Sequence, residues 1–391
     1  MKSHYESYSG RNTLPELKNY IGNHIAPNHR EWEKNARFPE NVLKDLHSMG
    51  LWNMTVPAEF GGDEATTLAL AEVMRELGYG CSALATAFTA SFMAGLCIFL
   101  GANDQLRRTY ARSITQNGEW SAFAMTEKEG GSDLSNIQTT ARVVEGGYIL
   151  NGDKCFVTNA PDAKHFVVVA RLEHVRRSSR GLSLFYVPGG SDGLQIDAPH
   201  KKFGQNAVRT CPISLRDVFV PTEHRIGEEG TAREFSYRVL QRSRCLLAAG
   251  AIGLCSRAGE VGMDYLSKRI ILRRSLLSQP VIRNLFTQIE TEKEAAWQLI
   301  MSAAKDWDDN APSLHRINMA KLFAGQVANR YAAAVMELFG GWSYTDAYEI
   351  EQLVRDAKFY EAVEGPAFVQ QILIARGVFP SKRDDDDDTP A

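Results

Sequence analysis

The residue pattern predicts an α+β chain in which helices lead into a small β domain and then into a helical bundle. Three observations carry this. Apolar residues recur at helical spacing through residues 14–118, short β-type runs separated by Gly, Asn and Asp turns follow from 119 to about 225, and long helical patterns return from about 232 to 376. The 391 residues therefore divide into a helical domain 1–118, a β domain 119–231, a helical bundle 232–376 and an acidic tail 377–391.

In chain order, FPENVLKDLHSMGL reads as a helix ending at Gly50, and TTLALAEVMRELGYG as another ending at Gly78. Between them NMTVPAEFGGD is a loop built on Pro57 and Gly61-Gly62. GYILNGDKCFVTN, HFVVVARL and GLSLFYVP are the clearest strands. Helices then cover YRVLQRSRCLLAAGAIGLCSRAGEVGMDYLSKRI, FTQIETEKEAAWQLIMSAAKDW and RINMAKLFAGQVANRYAAAVMELFG, with ends near Pro280, Asn310-Ala311-Pro312 and Gly340-Gly341. The tail SKRDDDDDTPA has nothing apolar to bury and is expected to be disordered.

Composition excludes several classes of function. The formal charge is −3, and Asp384 to Asp388 supply five of the negative charges, so the body is nearly neutral. No basic block with interleaved aromatics suggests nucleic acid or an anionic membrane. No run approaches the ~18 to 20 apolar residues of a membrane span, and the first residues lack an apolar signal-peptide core. The six cysteines show neither CxxC spacing nor the density of a disulfide framework, which reads as reduced thiols of a soluble cytoplasmic protein. Nine histidines without HxH or HxxxH spacing give no metal site.

Chemistry concentrates in three places. In RDAKFYEAVEGPAFVQQILIAR, residues 355–376, Glu364 sits among apolar neighbours where Gly365-Pro366 breaks the helical pattern, and burial there raises a carboxylate toward working pH. Glu361, three residues earlier, is the competing carboxylate, although a solvated helix face also accounts for it. Ala124-Met125-Thr126-Glu127-Lys128-Glu129-Gly130-Gly131-Ser132-Asp133 is a turn whose amides and hydroxyls suit phosphate oxygens or a flavin edge, and equally a tight capped loop. Lys154-Cys155-Phe156-Val157-Thr158-Asn159 ends a strand, where a Thr ordinarily packs or pairs across the sheet.

All three resemble signatures of the acyl-CoA dehydrogenase family, and the likeness covers nearly the whole chain. Arg355, Asp356, Ala357, Lys358, Glu364, Gly365, Gln370 and Ile374-Ala375-Arg376 match the family's C-terminal pattern in register. The resemblance implies an N-terminal helical domain, a middle β domain and a C-terminal four-helix bundle. It implies FAD as cofactor, with Met125 and Thr126 at the flavin ring, Ser132 at the pyrophosphate and also at the substrate, and Phe156 and Thr158 packing on the isoalloxazine and reaching its N5/O4 edge. Arg244 and Gly365 are implied substrate contacts, while Arg274, Gly340 and Gly341 match residues that serve a neighbouring subunit's FAD. Departures accompany these matches: Gln241 replaces an acid, Ser243 stands where some members place their base, Leu276, Leu277 and Ser278 replace Q-F-G, Glu337 replaces Gln, Asn206 and Val208 replace Arg and Ser, and Pro366 replaces Thr.

The implied reaction is α,β-dehydrogenation of an acyl thioester, CoA-bound or carrier-protein-bound, Glu364 taking the α-proton and FAD N5 the β-hydride. The implied partners are an electron-transferring flavoprotein as acceptor and further copies of the chain, as a homotetramer. Two other readings stand beside it: an oxygen-using flavin monooxygenase of the same fold, against which the presence of Glu364 argues, and a flavin-free binding protein.

Overall fold

The computed structural model describes residues 14–175 and 181–379; the expected disordered tail from 380 onward lies outside them. Six helices come first: α1 (Leu14–Tyr20), α2 (His29–Asn35), α3 (Glu40–Ser48), α4 (Thr67–Gly80), α5 (Ser82–Gly101) and α6 (Asp104–Asn117). Local chemistry sets their ends. The Thr66 hydroxyl accepts from the Ala69 N–H at the start of α4, and the Asn103 side chain accepts from the Leu106 N–H at the start of α6.

The β domain comprises β1 (Trp120–Ala124), β2 (Thr140–Val144), β3 (Gly147–Thr158), β4 (Ala163–Leu172), β5 (Leu182–Pro188), β6 (Leu194–Ile196), β7 (Thr210–Pro221) and β8 (Arg225–Ile226). The strands form one sheet in the order β6-β7-β3-β2-β4-β5-β8, with β1 parallel to β4. The long β3–β7 pair is antiparallel and shifts register between Lys154 and Val157.

The chain then returns to helices: α7 (Ala232–Lys268), the hairpin β9 (Ile270–Ile271) and β10 (Arg274–Ser275), α8 (Pro280–Asp308), α9 (Leu314–Glu337), α10 (Ile350–Ala362) and α11 (Ala367–Val378). Pro280 opens α8 rather than ending a helix, because its missing N–H and fixed φ suit the first turn. Helix α11 extends beyond residue 376, to Val378.

One hydrophobic core runs unbroken through both helical regions, from Leu14 to Tyr360, and a second fills the β domain around Phe166, Val168 and Ile213. Trp52, Phe88 and Trp120 join the α3–α4 loop, α5 and β1, with ring centroids 4.7 to 5.0 Å apart. The Asp308 carboxylate at the end of α8 accepts from the Thr67 and Leu68 N–H groups, capping α4 from another element.

Two expectations need correcting. Helix α4 does not stop at Gly78; it continues to Gly80. Gly78 and Gly253 are instead where α4 and α7 cross, and a Cβ on Gly253 would lie 2.0 Å from the Arg75 carbonyl oxygen. Nor is the chain without long apolar runs: windows in Ser82–Gly101 and in Ala232–Lys268 reach mean hydropathies of 2.0 and 1.2. Both windows are 78% buried inside the protein, as core helices apolar on every side are.

The α4–α7 crossing generates a test. Gly253→Ala is expected to destabilise the protein by about 3 kcal/mol, the upper end of ordinary overpacking costs, because backbone rather than a movable side chain meets the added methyl. Gly22→Ala, with open space around it, is the control. Equilibrium denaturation of the two variants side by side measures the difference.

Candidate functional site

Glu364 lies in the break between α10 and α11. It adopts φ +49°, a left-handed conformation that costs a non-glycine residue about 1–2 kcal/mol, and Gly365 follows at φ +92°. Three helices hold the turn in place. Arg244 of α7 donates Nε–H to the Glu364 carbonyl at 3.0 Å, Gln370 of α11 donates to the Glu364 and Gly365 carbonyls at 3.1 and 3.2 Å, and Lys321 of α9 donates to the Gly365 carbonyl at 2.7 Å. Glycine is favoured at 365 because φ +92° is a conformation that L side chains rarely adopt, and a Cβ there would also press on Gln370 Nε2 at 2.5 Å.

Arg244 and Lys321 are both buried, and Arg244 also donates to Asn318 Oδ1 at 3.0 Å. Arg244, expected to contact substrate, thus stands behind the turn and grips its backbone. Lys321 went unassigned in the sequence. Its signal was a lysine on the same face as Ile317, Ala320 and Ala324, where a helix otherwise buries apolar groups.

The Glu364 carboxylate accepts from the Ser243 hydroxyl at 2.6 Å, so the two positions at which a base was considered meet in space. Burial pushes the carboxyl up to about 7, while the Ser243 hydroxyl, the Arg244 guanidinium and the Lys321 ammonium favour its charged form. Burial likewise lowers the Lys321 ammonium to about 8, against the pull of Glu364. Glu361, by contrast, pairs with Lys358 at 2.9 Å on the outer part of α10.

The Asp356 carboxyl in the same segment has a joining role. It accepts from the Gln205 N–H at 2.6 Å and the Ser82 hydroxyl at 3.1 Å, tying α10 to the 204–207 loop and to α5.

The second cluster lies where the 125–133 loop meets β3. Lys154, with no exposed surface, donates to Glu127 Oε1 at 2.6 Å and to the Met125 carbonyl at 3.1 Å. Glu127 also accepts from the Thr139 N–H and hydroxyl and from the Gln138 N–H. Burial lowers the Lys154 ammonium to about 8; for Glu127 burial acts upward, but Lys154, Thr139 and Gln138 hold the carboxyl below its ordinary value. The pair spans 27 residues of sequence with no local pattern to announce it.

That anchor presents the expected flavin residues. The Cys155 N–H donates to the Thr126 carbonyl at 2.8 Å. The β-bulge at 154–157 gives Phe156 φ +52° and turns its ring outward, 63% exposed and 4.9 Å from the His200 ring. Thr158 pairs with Thr210 of β7, and Asn159 fixes the strand end by donating to the Ala87 carbonyl. Met125, Thr126 and Thr158 are half-buried and Ser132 is exposed. Asp133 supplies the capping, accepting from the Ser135 N–H at 2.9 Å. An exposed aromatic, unengaged hydroxyl-bearing residues along one loop and a buried His200 Nε2 without a partner make a surface that fits a planar polar cofactor.

Arg274, Gly340 and Gly341 are not brought to either cluster. They are exposed at the ends of α7 and α9, where Tyr265 and Phe339 stack with centroids 4.0 Å apart. From Arg244 to the end of α7 is roughly 36 Å at 1.5 Å per residue. Ile270, Ile271, Leu272, Trp342 and Tyr344 surround them as exposed apolar groups.

Family models match the chain along nearly its full length: the acyl-CoA dehydrogenase N-terminal domain over residues 11–118, the middle domain over 122–218 and the C-terminal domain over 234–379. Cyclohexane-1-carbonyl-CoA dehydrogenase of Geobacter metallireducens is 29% identical over 355 residues, 90% of this chain and 93% of that protein. The solved complex of a glutaryl-coenzyme A dehydrogenase with glutaryl-CoA superposes with a TM-score of 0.89 at 26% identity, covering 93% of both chains. The FAD complex of PigA shares the fold at 23% identity with a TM-score of 0.87, covering 93% of this chain and 96% of that one.

The buried pair yields a prediction. Glu127→Gln strands the Lys154 ammonium and is expected to cost about 3–5 kcal/mol near pH 6. The cost shrinks toward pH 9, because the unfolded chain keeps its lysine proton while the folded one sheds it. The double variant Glu127→Gln, Lys154→Met recovers part of the loss, as denaturation across the four-member cycle measures.

Proposed function

Because the chain belongs to the acyl-CoA dehydrogenase family, oxidoreductases acting on CH–CH groups, we propose that it dehydrogenates an acyl thioester with FAD, Glu364 being the base that takes the α-proton. One observation supports this above the others: a carboxylate with its pKa near 7, in a turn clamped by Arg244, Lys321 and Gln370. A base poised near working pH is unprotonated often enough to accept a proton and basic enough to hold it.

Met125, Thr126, Ser132, Phe156 and Thr158 are the residues that would hold FAD, which when bound supplies the hydride acceptor that no side chain can provide. Glu364 acts twice, its carboxylate receiving the α-proton and its backbone N–H donating to the thioester oxygen as negative charge develops there, a donor worth roughly 3–4 kcal/mol. Ser243 fixes the carboxylate rotamer, and the clamp keeps both groups in register. The thioester arm, of CoA or of a carrier protein, is assigned to a cleft of about 620 Å³ lined by Thr231, Arg233, Tyr237, Arg238, Gln241 and Trp307, one turn of α7 before Arg244. Gly365, on the turn that carries the base, is assigned to the substrate as well.

Arg274, Gly340 and Gly341 are assigned to the cofactor of a second copy, in a homotetramer whose contacts use the exposed apolar groups around them. An electron-transferring flavoprotein is the expected acceptor, and the free thiols of all six cysteines support work in the cytoplasm.

Glu364→Gln is expected to keep FAD and thioester binding and to slow anaerobic flavin bleaching ~10² to 10⁴-fold, whereas Glu361→Gln bleaches normally. Normal bleaching by the Glu364 variant would refute the assignment. In the unmutated protein the bleaching rate should climb with pH through about 7, since the carboxylate is the active form, and level off above it. Light scattering of the flavin-loaded protein should give four chains; a monomer with full flavin would overturn the subunit assignment.

A further inference from the structure

Beside Ser243, the hydrogen-bond partner of Glu364, the structure offers very little room. Ser243, whose hydroxyl is bonded to the Glu364 carboxylate, lines a cavity of about 10 Å³ among α4, α5 and α7, bounded by Leu70, Phe92, Met93, Leu96 and Leu246. That is about the volume of a single water molecule. It contrasts with the 620 Å³ cleft that opens one turn away along α7.

Three of the four polar residues that line this cavity are already engaged, and the fourth, Thr55, is half-buried in the segment before α4. Ser243 is held by Glu364, Thr89 donates to the Ala85 carbonyl at 2.8 Å, and Arg242 donates to Thr67 Oγ1 at 3.2 Å and to the Ala65 carbonyl at 2.8 Å. None of these three is left free to meet a polar acyl tail. Apart from Thr55 the remaining surface is Leu, Phe, Met and Val, most of it buried.

We infer that the cavity beside Ser243 receives the end of the acyl group and that the acyl group accepted by this chain is short and aliphatic, ending within about one carbon beyond the carbon that loses hydride, with Phe92, Met93 and Leu96 of α5 closing the pocket. This rests on the dehydrogenase reading above and narrows its substrate class. Met93 can swing to admit one further methylene, being unbranched and flexible. A longer chain must displace Phe92, which is buried and tilted against Phe88 with ring centroids 5.7 Å apart.

The test is a chain-length series of straight saturated S-acyl pantetheine thioesters, whose arm is common to CoA and carrier proteins. Two measurements are made on FAD-loaded enzyme: dissociation constants on Glu364→Gln by perturbation of the flavin spectrum, and bleaching rates on the unmutated protein. Each methylene that fits should tighten binding about fourfold, and the first that does not should weaken it about tenfold or more. Met93→Ala should move that break to longer chains, and Leu96→Ala, at a half-buried position, serves should the first variant fold poorly. Binding that keeps strengthening past six carbons in the unmutated pocket overturns the inference even if bleaching proceeds. A sharp break in binding without any bleaching upholds it and sinks the dehydrogenase reading instead, while no binding at any length sinks both.

Discussion

The proposed chemistry depends on how the short stretch of backbone at Glu364 and Gly365 is held. Its two carbonyl oxygens take donors from α7, α9 and α11, two of them buried cations. Burying an ammonium and a guanidinium is costly, and turning both toward backbone carbonyls offsets only part of that cost. The arrangement persists because the helices that carry them are already fixed by the core, so the cations have nowhere else to point. What results is a carboxylate whose position is set by the bundle rather than by its own loop. The left-handed conformation at Glu364 is the visible trace of that constraint.

The β domain solves a parallel problem with different means. The residues proposed to hold FAD sit on a loop and at a strand end, neither of which is stiff alone. The Glu127–Lys154 pair pins the loop to the strand, and Asn159 pins the strand to α5. Asp356 and Glu33, accepting from the 205–207 backbone, then fasten the domain to α10 and α2. The signature around Arg355 and Asp356 is therefore partly mechanical: it binds the β domain to the helix that leads to Glu364.

Most of the layout was legible because periodicity reports burial. The switch from period 3.6 to period 2 near residue 119, and back near 232, marks where the surroundings change from helix to sheet. Glu364 was legible because a glycine and a proline follow it and leave a carboxylate at a helix break. Gly78 was misread because a glycine that ends a helix and one that lets two helices touch look alike in one dimension; only the Gly250 carbonyl against it separates the cases. The apolar run of α5 was underrated for a related reason, its surroundings being protein on every side. Lys154, Glu127 and the Ser243–Glu364 bond join positions 27 and 121 residues apart, and no spacing rule reaches across such distances.

The hydrogen bond from Ser243 to Glu364 has an implication for how such sites are built. The hydroxyl oxygen lies 2.6 Å from the carboxylate oxygen, so a side chain rooted on α7 and one rooted on the α10–α11 turn arrive at the same point. The position proposed for the proton acceptor can therefore be reached from two addresses in the chain, residue 243 and residue 364. Of the two, the helix address carries no left-handed residue, and a glycine left at 364 would be free of the strain that Glu364 now bears. A base can in this way migrate between distant segments while the chemistry it performs stays where it was.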